Sequence, residues 1–224
     1  NDLFGIDDND FMELYCFPIE FYLSLEGYNH NHEVSDEIQD DIDSVCYEIR
    51  KAFYLLSGCN PNVMLLLYNK PEHYQFISES GKLLLKHRDI FISKKRIIEA
   101  FAGYATDQLR KLTKGAFKGY MGEKRKRIVQ KFGYDTKNSV TLIRLLRQAQ
   151  EFLQSGLLKV YRDEDRDELL AIKQGKYSLE EIQNLAEKEF IKVQTAYEQS
   201  KLPEENNKTK INELLVDIIT MENS

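Results

Sequence analysis

The sequence predicts an α+β protein, a small mixed sheet followed by a helical domain, and three observations predict it. Short apolar runs bounded by acidic turns fill the first 49 residues. Apolar residues then recur at helical spacing through almost everything that follows. The two kinds of segment are segregated along the chain, strand-type first and helix-type after.

The elements follow in order. Leu3-Phe4-Gly5-Ile6 and Leu14-Tyr15-Cys16-Phe17 read as strands separated by the acidic turn Asp7-Asp8-Asn9-Asp10, and Phe21-Tyr22-Leu23-Ser24-Leu25 as a further strand. Asp43-Ser44-Val45-Cys46-Tyr47 has strand character and leads directly into a helix carrying Ile49, Ala52, Phe53, Leu55 and Leu56, which Gly58 ends. Asn60-Pro61 is a helix N-cap followed by Pro at the first helical position. From about residue 71 the pattern is helical: Ser93 opens a helix running through Lys111, and residues 137–154 repeat Leu142, Leu145, Leu146, Ala149, Phe152 and Leu153 before Gly156 closes them. Ser178-Leu179-Glu180-Glu181 spells a capping box, and after Pro203 a last helix carries Ile211, Leu214, Leu215, Ile218 and Ile219. The expected division is residues 1–70 for the sheet-containing core and 71–224 for the helical domain.

The chain has 224 residues, 42% apolar and 30% charged, enough for a sizeable core. No run approaches the roughly 18 apolar residues of a membrane span, and no signal peptide stands at this N-terminus. Three Cys (Cys16, Cys46 and Cys59), without metal-type spacing, read as reduced thiols and a cytoplasmic location. His30 and His32 lie in a polar loop and carry no strong metal signal. Charge is polarised. Residues 1–49 hold 14 acids and no Lys or Arg, whereas residues 108–131 hold nine bases and one acid, a charge of +8 in a chain whose remainder carries −14. The acidic portion suits cations and the basic one suits phosphates.

Asp2 and Asp43 are the expected chemical pair. Each stands at a strand edge in apolar surroundings, and two carboxylates on neighbouring strands make a hard oxygen site for Mg²⁺. On a strand Asp41 points the same way as Asp43, and Glu48 is a further rival.

Six segments carry a resemblance. "ND-LFGI" (1–6), "SVCYEIRKAFYLLSGCNPNVMLLLY" (44–68), "RDIFISKK" (88–95), "FAGYATDQLRKL" (101–112), "KNSVTLIRLLRQAQEFLQSGLLKV" (137–160) and "LLAIKQGKYSLEEI" (169–182) resemble, in the same order, the RlaP nucleotidyltransferases of the DNA polymerase β superfamily. The resemblance implies a polymerase-β-like core and metal-dependent transfer of a nucleoside monophosphate from an NTP to a hydroxyl, with Mg²⁺ (or Mn²⁺) held by Asp2 and Asp43. It aligns Asn1-Asp2 with the end of an Asp-x-Asp motif, whose first Asp and preceding Gly-Ser helix then stand upstream of residue 1. Lys51, Asn60, Lys137 and Arg144 match polar motif positions and are the expected nucleotide-binding residues. Two departures stand out: Thr141 where the family has His, and Lys173 where it has Arg. The family's association with RNA ligases implies an RNA or tRNA end as acceptor, with the basic stretch 108–131 as its landing site. The alternatives are a non-catalytic nucleotide- or RNA-binding module, or an interaction protein using residues 203–224 as a partner helix.

Overall fold

The computed structural model describes residues 9–25, 33–34, 42–113 and 123–224. The expected strand at Leu3–Ile6, together with Asp2, Asp41, His30 and His32, lies outside them. The architecture is mixed α+β. Two compact units are present: one comprises the described residues up to Ser93 with Glu205–Ser224, the other Lys94–Glu204. These limits differ from the expected division at residue 70, because Ile77–Phe91 and the last helix complete the core around the first long helix instead of joining the helical unit.

In the sheet-containing unit, β1 (Asn9–Tyr15) pairs parallel with β3 (Ile42–Glu48), and the short β2 (Glu33–Val34) pairs antiparallel with β3 on its other side. The sheet is therefore mixed, as expected. Where the sequence suggests a strand at Phe21–Leu25, the structure has a short helix, α1 (Ile19–Leu23), with Pro18 at its N-cap. Pro fixes φ and lacks an N–H, so it ends the extended run and suits the start of a helical turn. The aromatic residues then cluster instead of forming a ladder: Phe17 and Phe21 lie with centroids 4.0 Å apart, and the Tyr22 hydroxyl accepts from the Phe17 N–H at 3.0 Å.

At the end of β3 the chain turns straight into α2 (Ile49–Ser57). Glu48, fully buried, is its N-cap: its carboxylate accepts from the Arg50 N–H at 3.0 Å and the Lys51 N–H at 3.3 Å, and the Arg50 side chain reaches it at 3.4 Å. A buried carboxylate is tolerated only with such donors. Ile49, Ala52, Phe53 and Leu56 form the buried face of α2. Gly58 is the C-cap as expected, but the left-handed residue is Cys59, at φ 52. Its buried side chain lies against the Phe91 carbonyl, with Sγ 3.4 Å from the oxygen.

The Asn60 side chain accepts from the N–H groups of Asn62 and Val63 and opens α3 (Pro61–Leu67), as its Asn-Pro signature predicts. Then come α4 (Glu79–Lys86) and a 3₁₀ turn at Arg88–Phe91. The last helix of the chain, α11 (Lys208–Glu222), packs on α2, α4 and that turn. It buries Ile211, Leu214 and Ile218, and just before it the Asn206 side chain donates to the Ser57 and Phe91 carbonyls. The helix that the interaction-protein alternative uses as a partner element packs within this unit.

The second unit begins with α5 (Lys94–Ile97), which passes through a π-helical turn at Ile98–Ala102 into α6 (Gly103–Thr113). This is the expected 93–111 helix with a widened turn inside it. After α7 (Glu123–Phe132) comes the central helix α8 (Thr136–Ser155). Asp135 caps α8, and Gly156 closes it in the left-handed conformation at φ 71, where a side chain is strained. Helices α6, α9 (Arg166–Lys173) and α10 (Leu179–Gln199) all pack on α8, and the Ser178 capping box at the start of α10 is fully formed.

Replacing Glu48 by Ala removes the acceptor for two α2 N–H groups and for the Arg50 side chain. The expected loss is about 2 kcal/mol, on the scale of a lost cap plus unpaired buried donors. Chemical denaturation checks it, and an unchanged midpoint would show that the cap contributes nothing.

Candidate functional site

The parallel ladder places two acidic positions side by side. Its register pairs Asn9 with Ile42, Asp10 with Asp43 and Phe11 with Ser44, continuing to Tyr15 with Glu48. Residues paired across a ladder share a face of the sheet. Asp10 therefore occupies the register position next to Asp43, both at the N-terminal ends of neighbouring strands. From sequence alone, Asp10 reads as part of a turn. The signal that identifies it is nonetheless there: Asp8-Asn9-Asp10 is itself an Asp-x-Asp immediately before an apolar run.

The other expected residues fall into place as follows. Glu48 is committed to the cap of α2, which gives it a structural task instead of a ligating one. Asn60 likewise uses its side-chain oxygen as a cap. Lys51 stands in the first turn of α2, half-buried. Lys137 and Arg144 both belong to α8 in the other unit. Thr141, the departure from the family's His, donates to the Lys137 carbonyl at 3.1 Å. Lys173, the departure from Arg, stands in the last turn of α9, where a cation suits the helix dipole. Among the described residues, no group of three or more His, Cys, Asp or Glu is arranged to hold a metal ion.

Of the basic stretch, the described part lies on α6 and α7. There Arg110 pairs with Asp107, Lys126 with Glu123, and Arg125 with the buried Asp135 at 3.2 Å. The last pair ties Arg125 to the cap of α8, so not every base in the stretch is available to a ligand.

Arg50 lies 4.7 Å from the Tyr22 ring centroid. All three cysteines are free thiols, as expected. Burial pushes the Cys16 thiol up to about 11, helped by the charges of Glu222 and Glu48 and opposed by a hydrogen bond with Tyr22.

A family model described as "RlaP: RNA repair pathway DNA polymerase beta family" matches residues 5–217. The match takes in Asp8-Asn9-Asp10 and Asp43 and leaves Asp2 outside. No curated protein and no solved structure matches the chain. No described helix is long and apolar enough to cross a membrane.

Cys16 yields a pH prediction. Its thiolate population at pH 8 should be roughly a hundredfold below that of an unperturbed thiol, so alkylation by iodoacetamide should be slow and accelerate towards pH 11. The folded value is raised above the ordinary 9.0, so the associated stability is complete below pH 9 and is lost as pH rises through about 11. Peptide mapping of alkylation rates between pH 7 and 11 checks this; a rate that levels off by pH 9 would contradict it.

Proposed function

We propose a nucleotidyl-transfer reaction for this chain, which belongs to the RlaP family, the RNA repair pathway DNA polymerase β family. The substrates are an NTP and an acceptor hydroxyl, for which we favour an RNA end. The acceptor oxygen forms a bond to the α-phosphorus, the bond from that phosphorus to the leaving oxygen breaks, and pyrophosphate departs. The hydroxyl proton leaves to solvent or to a nearby base.

One observation carries this reading: the register that sets Asp10 beside Asp43. Two Asp at paired register positions would offer hard oxygens, which suit Mg²⁺ or Mn²⁺ better than a soft or imidazole-preferring metal. In this reading Asp10 and Asp43 would hold the ion, with Asp8 two residues before Asp10 as the third carboxylate. When bound, such ions neutralise phosphate charge and favour the deprotonated hydroxyl. The protein's own task is to hold the two acidic positions in register, which the parallel β1–β3 ladder does. Lys51, in the first turn of α2, stands at the opposite end of β3 from Asp43 and takes no part in this reading.

Three substitutions in the full-length protein test the assignment. Asp10→Asn and Asp43→Asn should each reduce Mg²⁺-dependent nucleotide incorporation at least a hundredfold with the fold intact, since the amide keeps the shape and loses the charge. Asp2→Asn should leave incorporation within a few-fold of the parent. Loss with Asp2→Asn and none with Asp10→Asn would instead restore the pairing of Asp2 with Asp43 implied by the resemblance.

The basic stretch supports RNA as acceptor, because the acidic remainder of the chain repels polyanions. Replacing Lys124, Lys126 and Arg127 by Ala, while sparing Arg125 for its pairing with Asp135, should weaken RNA binding. It should also flatten the salt dependence, by about 0.7 in log–log slope for each phosphate that is no longer neutralised. Filter binding between 50 and 300 mM salt checks both, and an unchanged slope would remove this segment from the interface.

A further inference from the structure

Among its described residues, the helical unit contains a half-buried arginine whose Nε is buried and left unmatched. Arg147 meets Asp165 at 2.8 Å and Glu168 at 2.6 Å, with Glu189 at 3.6 Å. Arg162 meets Glu151 at 2.5 Å and Asp165 at 2.7 Å. Arg144, one turn before Arg147 on α8, makes no hydrogen bond or ion pair among the described residues, and its Nε is buried without a partner. The groups that act on it electrostatically are the Tyr104 hydroxyl and, repulsively, Arg162. Burial holds the guanidinium below the ordinary arginine value, as expected of a cation lacking its counter-ion. An uncompensated buried charge is costly, and a structural core would replace it with an apolar residue.

The surroundings are built for a ligand. Lys137, Thr141 and Arg144 recur at helical spacing and share a face of α8, so a second cation stands two turns from the first. Tyr104 stands at the start of α6, 36% exposed, directly after the π-helical turn and Gly103. A Cβ at Gly103 would meet nothing within 4 Å. π-turns inside α-helices recur at functional sites because they re-aim the side chains that follow. An exposed aromatic face accepts a base, and a guanidinium fork accepts a phosphate.

We propose that Tyr104 and Arg144 form a nucleoside-phosphate site in the helical unit, with the phosphate on Arg144 and Lys137 and the base stacked on Tyr104. The proposal rests on the nucleotidyl-transfer reading for its choice of ligand, but not on the carboxylates for its binding. The nucleotide comes either from a free NTP or from an RNA strand.

The test measures binding with EDTA present, so that the carboxylates take no part, using ATP and a 5′-phosphorylated single-stranded RNA on the full-length protein. Arg144→Met should weaken binding of one probe about tenfold or more, the scale of a charge-assisted hydrogen-bond pair. Arg144→Lys should restore only part of it, because the fork is lost. Tyr104→Ala should weaken the same probe, and Tyr104→Phe should bind as the parent does. Loss confined to ATP assigns the site to the incoming nucleotide; loss confined to RNA assigns it to the acceptor. Circular dichroism and thermal melting establish that each variant is folded. Unchanged affinity for both probes in folded Arg144→Met and Tyr104→Ala overturns the proposal. The Asp10→Asn, Asp43→Asn double variant should retain this binding even though it fails in incorporation, so failure of the carboxylate reading and failure of this one are read separately.

Discussion

The buried carboxylate of Glu48 is the constraint on which the sheet-containing unit depends. It cannot stay out of water without donors, and its donors are the first N–H groups of α2 and the Arg50 side chain. That requirement ends β3 at residue 48 and starts the helix at 49. The register of β3 against β1 is set separately, by the faces that the two strands bury together. A slip by one residue would turn every side chain of the strand to the opposite face. Asp10 and Asp43 pair at the other end of the strand from Glu48. Arg50 extends the same arrangement, because its guanidinium also lies against Tyr22 and holds the aromatic cluster of α1.

The helical unit is organised differently. Its centre is α8, whose apolar face carries Leu142, Ile143, Leu146, Ala149, Phe152 and Leu153 against the surrounding helices. Charges within that packing are compensated in a network of Arg147, Arg162, Asp165, Glu151 and Glu168. Hydrogen bonds from Arg162 and Arg147 outweigh burial and hold the Asp165 carboxyl below its usual range. Among the described residues, acids stand opposite both Arg147 and Arg162 and none opposite Arg144, which makes that position informative.

Much of the fold is legible in the sequence because its signals are local. The Asn60-Pro61 start, the Ser178–Glu181 capping box, the Gly156 stop and the period of α8 each depend on residues within a few positions of one another. The family resemblance is legible for a similar reason, as it rests on contiguous segments. The candidate site is legible only in part. Asp43 is visible on its strand, while Asp10 sits in a run of acids that reads as a turn, and Glu48 looks like a rival ligand until its hydrogen bonds are known.

Local sequence was enough for the long helices, their caps, the α+β class and the family, because backbone hydrogen bonding and amphipathic spacing are written in short windows. Three features needed long-range packing. Ile19–Leu23 became a helix because aromatic clustering behind Pro18 replaced a ladder. Helix α11 folded back onto α2, where buried Ile211, Leu214 and Ile218 complete a core begun near the other end of the chain. And Asp10 came to stand beside Asp43 because strand register joins distant segments, and is specified by which faces can be buried together and not by the spacing along either strand.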